Sequence, residues 1–160
     1  MQRFVCWIIA IATSVAASVV CGAQGPARLQ GEVRGDVFVA RGLTVHAGVG
    51  VNARAGQNVR ISIVAGAGRA FDDHESRFST RAEVTGRFLL DPDFKAKWGV
   101  YAGGGVGFRK ERSDSSVAVL ILALGLEGPG WGGFVPFAEA GYGGGLRLSA
   151  GLRQALAGRR

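Results

Sequence analysis

The sequence has few cysteines, histidines and prolines, and each shortage excludes a kind of protein. The cysteines are Cys6 and Cys21, both near the N-terminus, so the chain after this segment has no disulfide and no thiol chemistry. The histidines, His46 and His74, are far apart and lack metal-site spacing. We therefore expect no metal, no cofactor and no disulfide framework.

A parallel α/β architecture and a nucleic-acid partner are excluded on similar grounds. No stretch between the apolar runs is long enough for a crossover helix, which a parallel sheet requires. The formal net charge is +7, from 19 basic and 12 acidic residues. The arginines are spread along the whole chain instead of clustering on one helix or loop, so we expect no nucleic-acid binding.

The N-terminal segment has the layout of a secretory signal peptide. Residues 1–3 form a short, positively charged segment, and residues 4–20 form an uncharged and almost wholly apolar one. Residues 21–23, which follow, have small side chains. We expect a signal peptide over residues 1–23 and one domain over residues 24–160. The alternatives are a retained membrane anchor and a lipoprotein modified at Cys21.

The main signal in the remaining chain is a period of two, which indicates strands with two different faces. In the clearest run, the odd positions from Arg77 to Arg87 are polar, whereas the even positions from Phe78 to Phe88 are largely apolar. Short turn signals rich in glycine and aspartate separate eight runs of about ten residues, of which one, 117–127, is apolar on both faces and shows no clear alternation. The runs cover 28–37, 44–54, 59–65, 77–88, 98–108, 117–127, 134–142 and 146–153. The pattern predicts an all-β, up-and-down antiparallel β-barrel of about eight strands.

The polar faces are rich in arginine, whereas lysine occurs only at Lys95, Lys97 and Lys110, in or beside turns. Arginine suits enclosed pairing with carboxylates better than lysine does. We therefore predict a charge network in the lumen of a transmembrane barrel. Its predicted members are Glu32, Arg34, Asp36, Arg60, Arg81, Glu83, Arg87, Glu139, Arg147 and Arg153. Eight strands leave room only for side chains, so we expect a plugged lumen without a wide pore.

Aromatic residues fall at or near the predicted strand ends, whereas strand centres carry Val, Ile, Leu and Ala. This pattern predicts two girdles around an apolar band. The predicted girdle residues are Phe38, Phe71, Phe78, Phe88, Trp98, Phe108, Trp131, Phe134 and Tyr142. Runs of nine to eleven residues also match the membrane span of a tilted strand.

In these features residues 28–156 resemble the small eight-stranded outer-membrane proteins of the OmpA transmembrane domain and OmpX type. The resemblance implies an outer-membrane location, contact with outer-membrane lipid and lipopolysaccharide, insertion by the outer-membrane assembly machinery and a monomeric state. It also implies a non-enzymatic protein with a structural or surface-interaction role in the cell envelope.

Two other functions are compatible with the sequence. Lipid A deacylases with eight strands use a His-x-Ser pair with a nearby glutamate, and His74 and Ser76 have this spacing, with Glu75 or Glu83 available. Because these residues fall in a predicted turn, we expect no catalytic site. The second alternative is a soluble, lipocalin-like periplasmic binding barrel, which has the same strand count with its faces reversed.

Overall fold

The chain folds into eight antiparallel strands. The computed structural model describes residues 29–40, 42–72, 75–90, 98–111 and 116–156. The strands are β1 (Leu29–Val39), β2 (Leu43–Arg54), β3 (Val59–Asp72), β4 (Glu75–Leu89), β5 (Gly99–Glu111), β6 (Val117–Glu127), β7 (Phe134–Tyr142) and β8 (Leu146–Ala155). Within these ranges no helix is long and apolar enough to cross a membrane.

The strands close into an up-and-down barrel in which each strand pairs with its neighbours in sequence. The closing pair is β1 with β8, in the register Val33↔Leu152. Closure gives every strand two hydrogen-bonded neighbours, so none of the eight is an edge strand. The number of strands is even, so β1 begins and β8 ends at one end of the barrel, called here the near end. The opposite end, where β1 ends and β8 begins, is the far end.

The predicted strand order is confirmed, and the bounds of β6 and β7 agree with the predicted runs. At the far end, however, the predicted turns are too long. The ladder between β3 and β4 continues through Phe71↔Ser76 and Asp72↔Glu75, so Glu75 and Ser76 lie in a strand. Lys110 likewise lies in β5. Backbone pairing does not require apolar side chains, and it therefore extends beyond the alternating run.

Burial alternates along the strands as the period of two predicts. In β2 the burial pattern runs exposed, buried, exposed, buried, with Thr44 and His46 inside and Val45 and Val49 outside. In β6 the same alternation places Ile121 inside, although that strand is apolar on both faces. The inward residues are largely polar and the outward residues largely apolar, the reverse of a water-soluble barrel.

Glycine on the inner wall makes room for large interior side chains. Gly125 on β6 faces Tyr101 on β5, which is its partner in the ladder. A Cβ atom at position 125 would overlap the Tyr101 ring. Since Tyr101 is fully buried, the ring has nowhere to retreat. The absence of a side chain at Gly125 therefore allows Tyr101 to lie across the lumen.

We predict that Gly125→Ala lowers the free energy of unfolding by about 1–3 kcal/mol, the usual cost of overpacking a filled interior. The matched control is Gly86→Ala on the outer wall, where the nearest atom to an added Cβ is the Gly104 carbonyl oxygen at 3.9 Å. This control should be neutral or stabilising by roughly 0.5 kcal/mol, because alanine restricts the unfolded chain. Urea unfolding of both variants measures the difference, and equal effects would contradict the packing described here.

Candidate functional site

The interior of the barrel contains a continuous set of buried charges. All ten residues that the sequence analysis placed in the lumen are buried inside the barrel. The buried set contains six arginines and five carboxylates: Arg34, Arg60, Arg81, Arg87, Arg147, Arg153, Glu32, Asp36, Glu83, Glu127 and Glu139. Charges without water are tolerated only when they are paired and hydrogen-bonded, so the contacts among these groups determine whether the interior is stable.

Arg34 lies at the centre of this set and joins its two halves. Its Nε donates to Asp36 at 3.0 Å, Nη1 donates to Glu32 at 3.0 Å, and Nη2 donates to Glu139 at 2.7 Å. Nη1 also lies 3.5 Å from a Glu83 oxygen. The flat guanidinium with five N–H donors can serve several carboxylates at once, which a lysine ammonium cannot do in the same geometry.

The half nearer the far end is built on Asp36 and Glu83. Arg147 holds Glu83 through two parallel hydrogen bonds, of 2.8 Å from Nη2 and 3.1 Å from Nη1. Arg81 donates to Glu83 at 2.9 Å and also to Asp36. Ser149 donates to Asp36 and accepts from Arg147 at 3.1 Å. Strands β1, β4 and β8 are thus joined across the lumen.

The half nearer the near end is built on Glu32, Glu127 and Glu139. Arg153 donates to Glu32 at 2.8 Å and also to Glu127. Arg87 lies 3.2 Å from Glu32 and 2.8 Å from Glu139. Arg60 donates to Glu127, the one buried carboxylate that it contacts among the described residues.

Three aromatic rings, those of Phe38, Tyr101 and Phe137, fill the space between the guanidinium groups. The Arg153 guanidinium lies 3.9 Å from the centre of the Phe137 ring, and that of Arg34 lies 5.6 Å from the same ring. Arg81 and Arg147 lie 5.4 and 5.6 Å from the centre of Phe38. Such stacking stabilises desolvated cations. The rings therefore add both volume and electrostatic compensation to the ionic interior.

Glu127 and Tyr101 are interior residues that were not predicted from the sequence. Glu127 ends β6, a strand whose two faces are both apolar, so alternation gave no sign that it points inward. Tyr101 donates to Glu139 at 2.8 Å and accepts from Arg153 at 3.1 Å. The glycine opposite Tyr101 indicates an inward-lying ring only when the register between β5 and β6 is known, which the sequence alone does not give.

The predicted girdle assignment of Phe38 is wrong. Phe38 is 5% exposed and lies inside the barrel, because its position has the same parity as the inward residues Arg34 and Asp36. The other eight predicted aromatic residues are exposed on the outside of the barrel. Phe88, Trp98, Trp131 and Phe134 lie towards the near end, and Phe71, Phe78, Phe108 and Tyr142 lie towards the far end.

The interior contains one histidine–serine pair, but it lacks the parts of a hydrolase site. His46 Nε2 and Ser79 Oγ are 3.0 Å apart, and both side chains are sealed from solvent. Within the described ranges Nδ1 of His46 has no hydrogen-bond partner, so no carboxylate orients the ring. His74 lies outside the described residues, and Ser76 lies on β4, where its hydroxyl accepts from Arg69 at 3.0 Å.

The charge network encloses little open space. A cavity of about 20 Å³ lies beside Phe38, Glu83 and Arg147, which is room for roughly one water molecule. A wider space of about 370 Å³ lies at the far-end mouth and is lined in part by Thr44, Arg77 and Arg109. No cluster of possible metal ligands occurs among the residues that the structure describes.

We predict that Arg34→Gln lowers the free energy of unfolding by about 3–5 kcal/mol, because it removes the cation shared by several buried carboxylates. Arg60→Gln should cost less, since Glu127 keeps its contact with Arg153. Arg34→Lys should be intermediate, because it retains the charge but loses the planar geometry. Urea unfolding of the refolded barrel measures all three. A loss for Arg34→Gln no greater than that for Arg60→Gln would contradict a central role for Arg34.

Comparison with known proteins identifies the fold of the chain but assigns no activity to it. No protein-family model matches the chain, and no curated protein matches its sequence. Several solved structures do match. The crystal structure of Neisserial surface protein A has a TM-score of 0.63 at 10% identity, with 82% of this chain and 98% of that chain covered.

Two further structures share the architecture. The crystal structure of the N-terminal β-barrel domain of Pseudomonas aeruginosa OprF has a TM-score of 0.55 at 15% identity, covering 79% of this chain and 96% of that chain. The solution NMR structure of the de novo designed TMB2.3 has a TM-score of 0.53 at 14% identity, covering 84% and 98%. The chain therefore has the fold of the small eight-stranded outer-membrane barrels of the OmpA and OmpX type.

Proposed function

We propose that the chain is a non-enzymatic integral protein of the outer membrane, with a structural or surface-interaction role in the cell envelope. The observation that carries this proposal is the inverted distribution of its side chains. Charged groups fill the barrel, and large apolar groups cover its outside. Such a distribution is stable where the surrounding medium is lipid and the interior is sealed.

The outer wall supports a lipid surrounding. Val33 and Leu124 are 64% and 66% exposed, and apolar side chains such as Val49, Leu120 and Leu148 continue the surface around the barrel. Soluble monomers rarely expose contiguous apolar patches above a few hundred Å². An apolar surface that runs around the whole wall would drive aggregation in water, but it is satisfied by acyl chains.

The two groups of outer aromatic residues give this wall the dimensions of a membrane. Phe78 and Phe88 lie ten residues apart on β4. Ten residues span roughly 34 Å along a strand, or about 26 Å along the axis of a barrel with strands tilted by about 40°. The apolar band of outer-membrane barrels is about 25 Å tall, with aromatic girdles at both edges.

The filled interior argues against a pore or a ligand-carrying barrel. A soluble binding barrel keeps an apolar cavity for its ligand, whereas this lumen is crossed by Arg34, Arg147 and Arg153 and their carboxylate partners. The same groups would obstruct ion flow. We infer a plugged barrel whose surface, and not its lumen, meets other molecules.

We propose that a signal peptide over residues 1–23, which lie outside the described residues, directs export. We propose that outer-membrane lipid and lipopolysaccharide surround the barrel, that the assembly machinery inserts it, and that it is a monomer. The alternative is a hydrolase site that pairs His74, which lies outside the described residues, with Ser76 on β4.

We predict that Val84→Arg, at the middle of the outward face of β4, costs about 2–4 kcal/mol of unfolding free energy in phospholipid vesicles. The matched control is Val39→Arg at the far end of β1, where the cost should be about 0–1 kcal/mol because the side chain reaches the interface. Both valines are exposed, so the difference arises from depth in the bilayer.

Reversible urea unfolding from the vesicles gives both values. A soluble, lipocalin-like barrel would show two costs within about 0.5 kcal/mol of zero, as surface substitutions in water usually do. That result, or recovery of the chain as a soluble periplasmic protein, would contradict the proposal.

A further inference from the structure

The outer wall is almost free of charge, and its exceptions are two neighbouring cations. Along the outward positions of all eight strands, where side chains are described, the charged residues are Arg69 on β3 and Lys110 on β5. Both are exposed, and both lie towards the far end. No described outward position carries a carboxylate, and none carries a charge towards the near end. The two halves of the outer wall therefore differ in charge.

Arg69 and Lys110 lie on either side of β4. In the ladders, Arg69 is opposite Phe78 and Lys110 is opposite Thr80. Two strand spacings and a two-residue offset along β4 separate their backbones by roughly 12 Å. Arginine and lysine side chains are long and flexible, so their charged groups can meet over β4 on one anion between them.

The local contacts leave donors for such an anion. Among the contacts of the described residues, Arg69 donates from Nη1 to the Ser76 hydroxyl at 3.0 Å, which uses one of the five N–H donors of its guanidinium. Thr80 donates to the backbone oxygen of Lys110 at 3.5 Å, a contact that leaves the ammonium of Lys110 unaffected. The Ser76 hydroxyl can donate to a third group while accepting from Arg69.

The pair lies at the level of the far-end aromatic residues. Phe78 adjoins Arg69, and Phe108 precedes Lys110 by two residues on the same strand face. Aromatic girdles mark the boundary between acyl chains and headgroups. At this depth a lipid-facing cation meets lipid phosphates, whereas a cation at the midplane would meet only hydrocarbon.

We propose that Arg69 and Lys110 form a binding site for the phosphate of an anionic glycolipid in the leaflet at the far end. Ser76 orients the Arg69 guanidinium, and Phe78 and Phe108 contact the apolar part of the same lipid. The occupant is a lipid headgroup because the site opens sideways into the membrane, and its charge is complementary to phosphate. The inference rests on the proposed membrane location and adds the place of contact.

The test uses the full chain refolded into phosphatidylcholine vesicles that contain increasing fractions of lipid A, a phosphorylated diglucosamine lipid. Binding to the folded state raises the urea midpoint, and the gain in stability grows logarithmically once the lipid fraction exceeds the dissociation constant. For the double variant Arg69→Gln/Lys110→Gln, we expect the lipid A fraction that produces a given shift to rise about ten-fold or more. Each single variant should fall between the wild type and the double variant.

The matched control is Arg109→Gln, which removes a cation one residue from Lys110 on the inward face of the same strand. This variant should respond to lipid A as the wild type does. Lipid A without its phosphates should give no shift beyond that of phosphatidylcholine. Soluble glucosamine phosphate should also give none, because the site includes the acyl boundary.

Three results would overturn the site. These are a double variant that responds like the wild type, an Arg109→Gln variant that loses as much response, or an equal shift with soluble sugar phosphate. Failure of the membrane proposal is distinguishable, since the wild-type chain would then not insert into pure phosphatidylcholine vesicles. Insertion is read from the mobility difference between unheated and heated samples on a gel.

Discussion

The structure depends on pairing six buried arginines with five buried carboxylates inside a barrel that has little open space. Removing such groups from water costs several kcal/mol for each charge, and one partner rarely compensates for this. Here Arg34 contacts four carboxylates, and Glu32 accepts from Arg34, Arg87 and Arg153. The lumen is stable because nearly every charge is shared among several partners.

The same pairing of charges determines which side chains lie on the outer wall of the barrel. Side chains alternate along a strand, so a register that places Arg81 and Glu83 inside also places Ala82 and Val84 outside. A slip of one residue on β4 would expose the ionic groups to lipid and bury valine among arginines. The cost of that exchange on both faces ties the register to the medium. Among the described outward positions, only Arg69 and Lys110 carry a charge.

Alternation in the sequence was sufficient to predict the strand count, the closed antiparallel order and the inward position of Arg81 and Glu83. Phe38 is an error of another kind, since it was assigned from its place near a strand end although its parity already pointed inward. Alternation itself failed where neighbouring strands decide the outcome. Glu127 follows an apolar strand without contrast between its faces, and the fit of Tyr101 over Gly125 requires the β5–β6 register. Such contacts join residues that are distant in sequence.

We infer that the apolar wall faces lipid while the charged interior is closed. The most direct measurement is the collision rate of spin labels with oxygen and with a water-soluble nickel complex, taken at Phe78, Thr80, Ala82, Val84, Gly86 and Phe88 in turn, in vesicles. Oxygen accessibility should be greatest near Val84 and fall towards both ends, with nickel accessibility following the opposite course. High nickel accessibility at every position would show that the wall faces water and would rule out this arrangement.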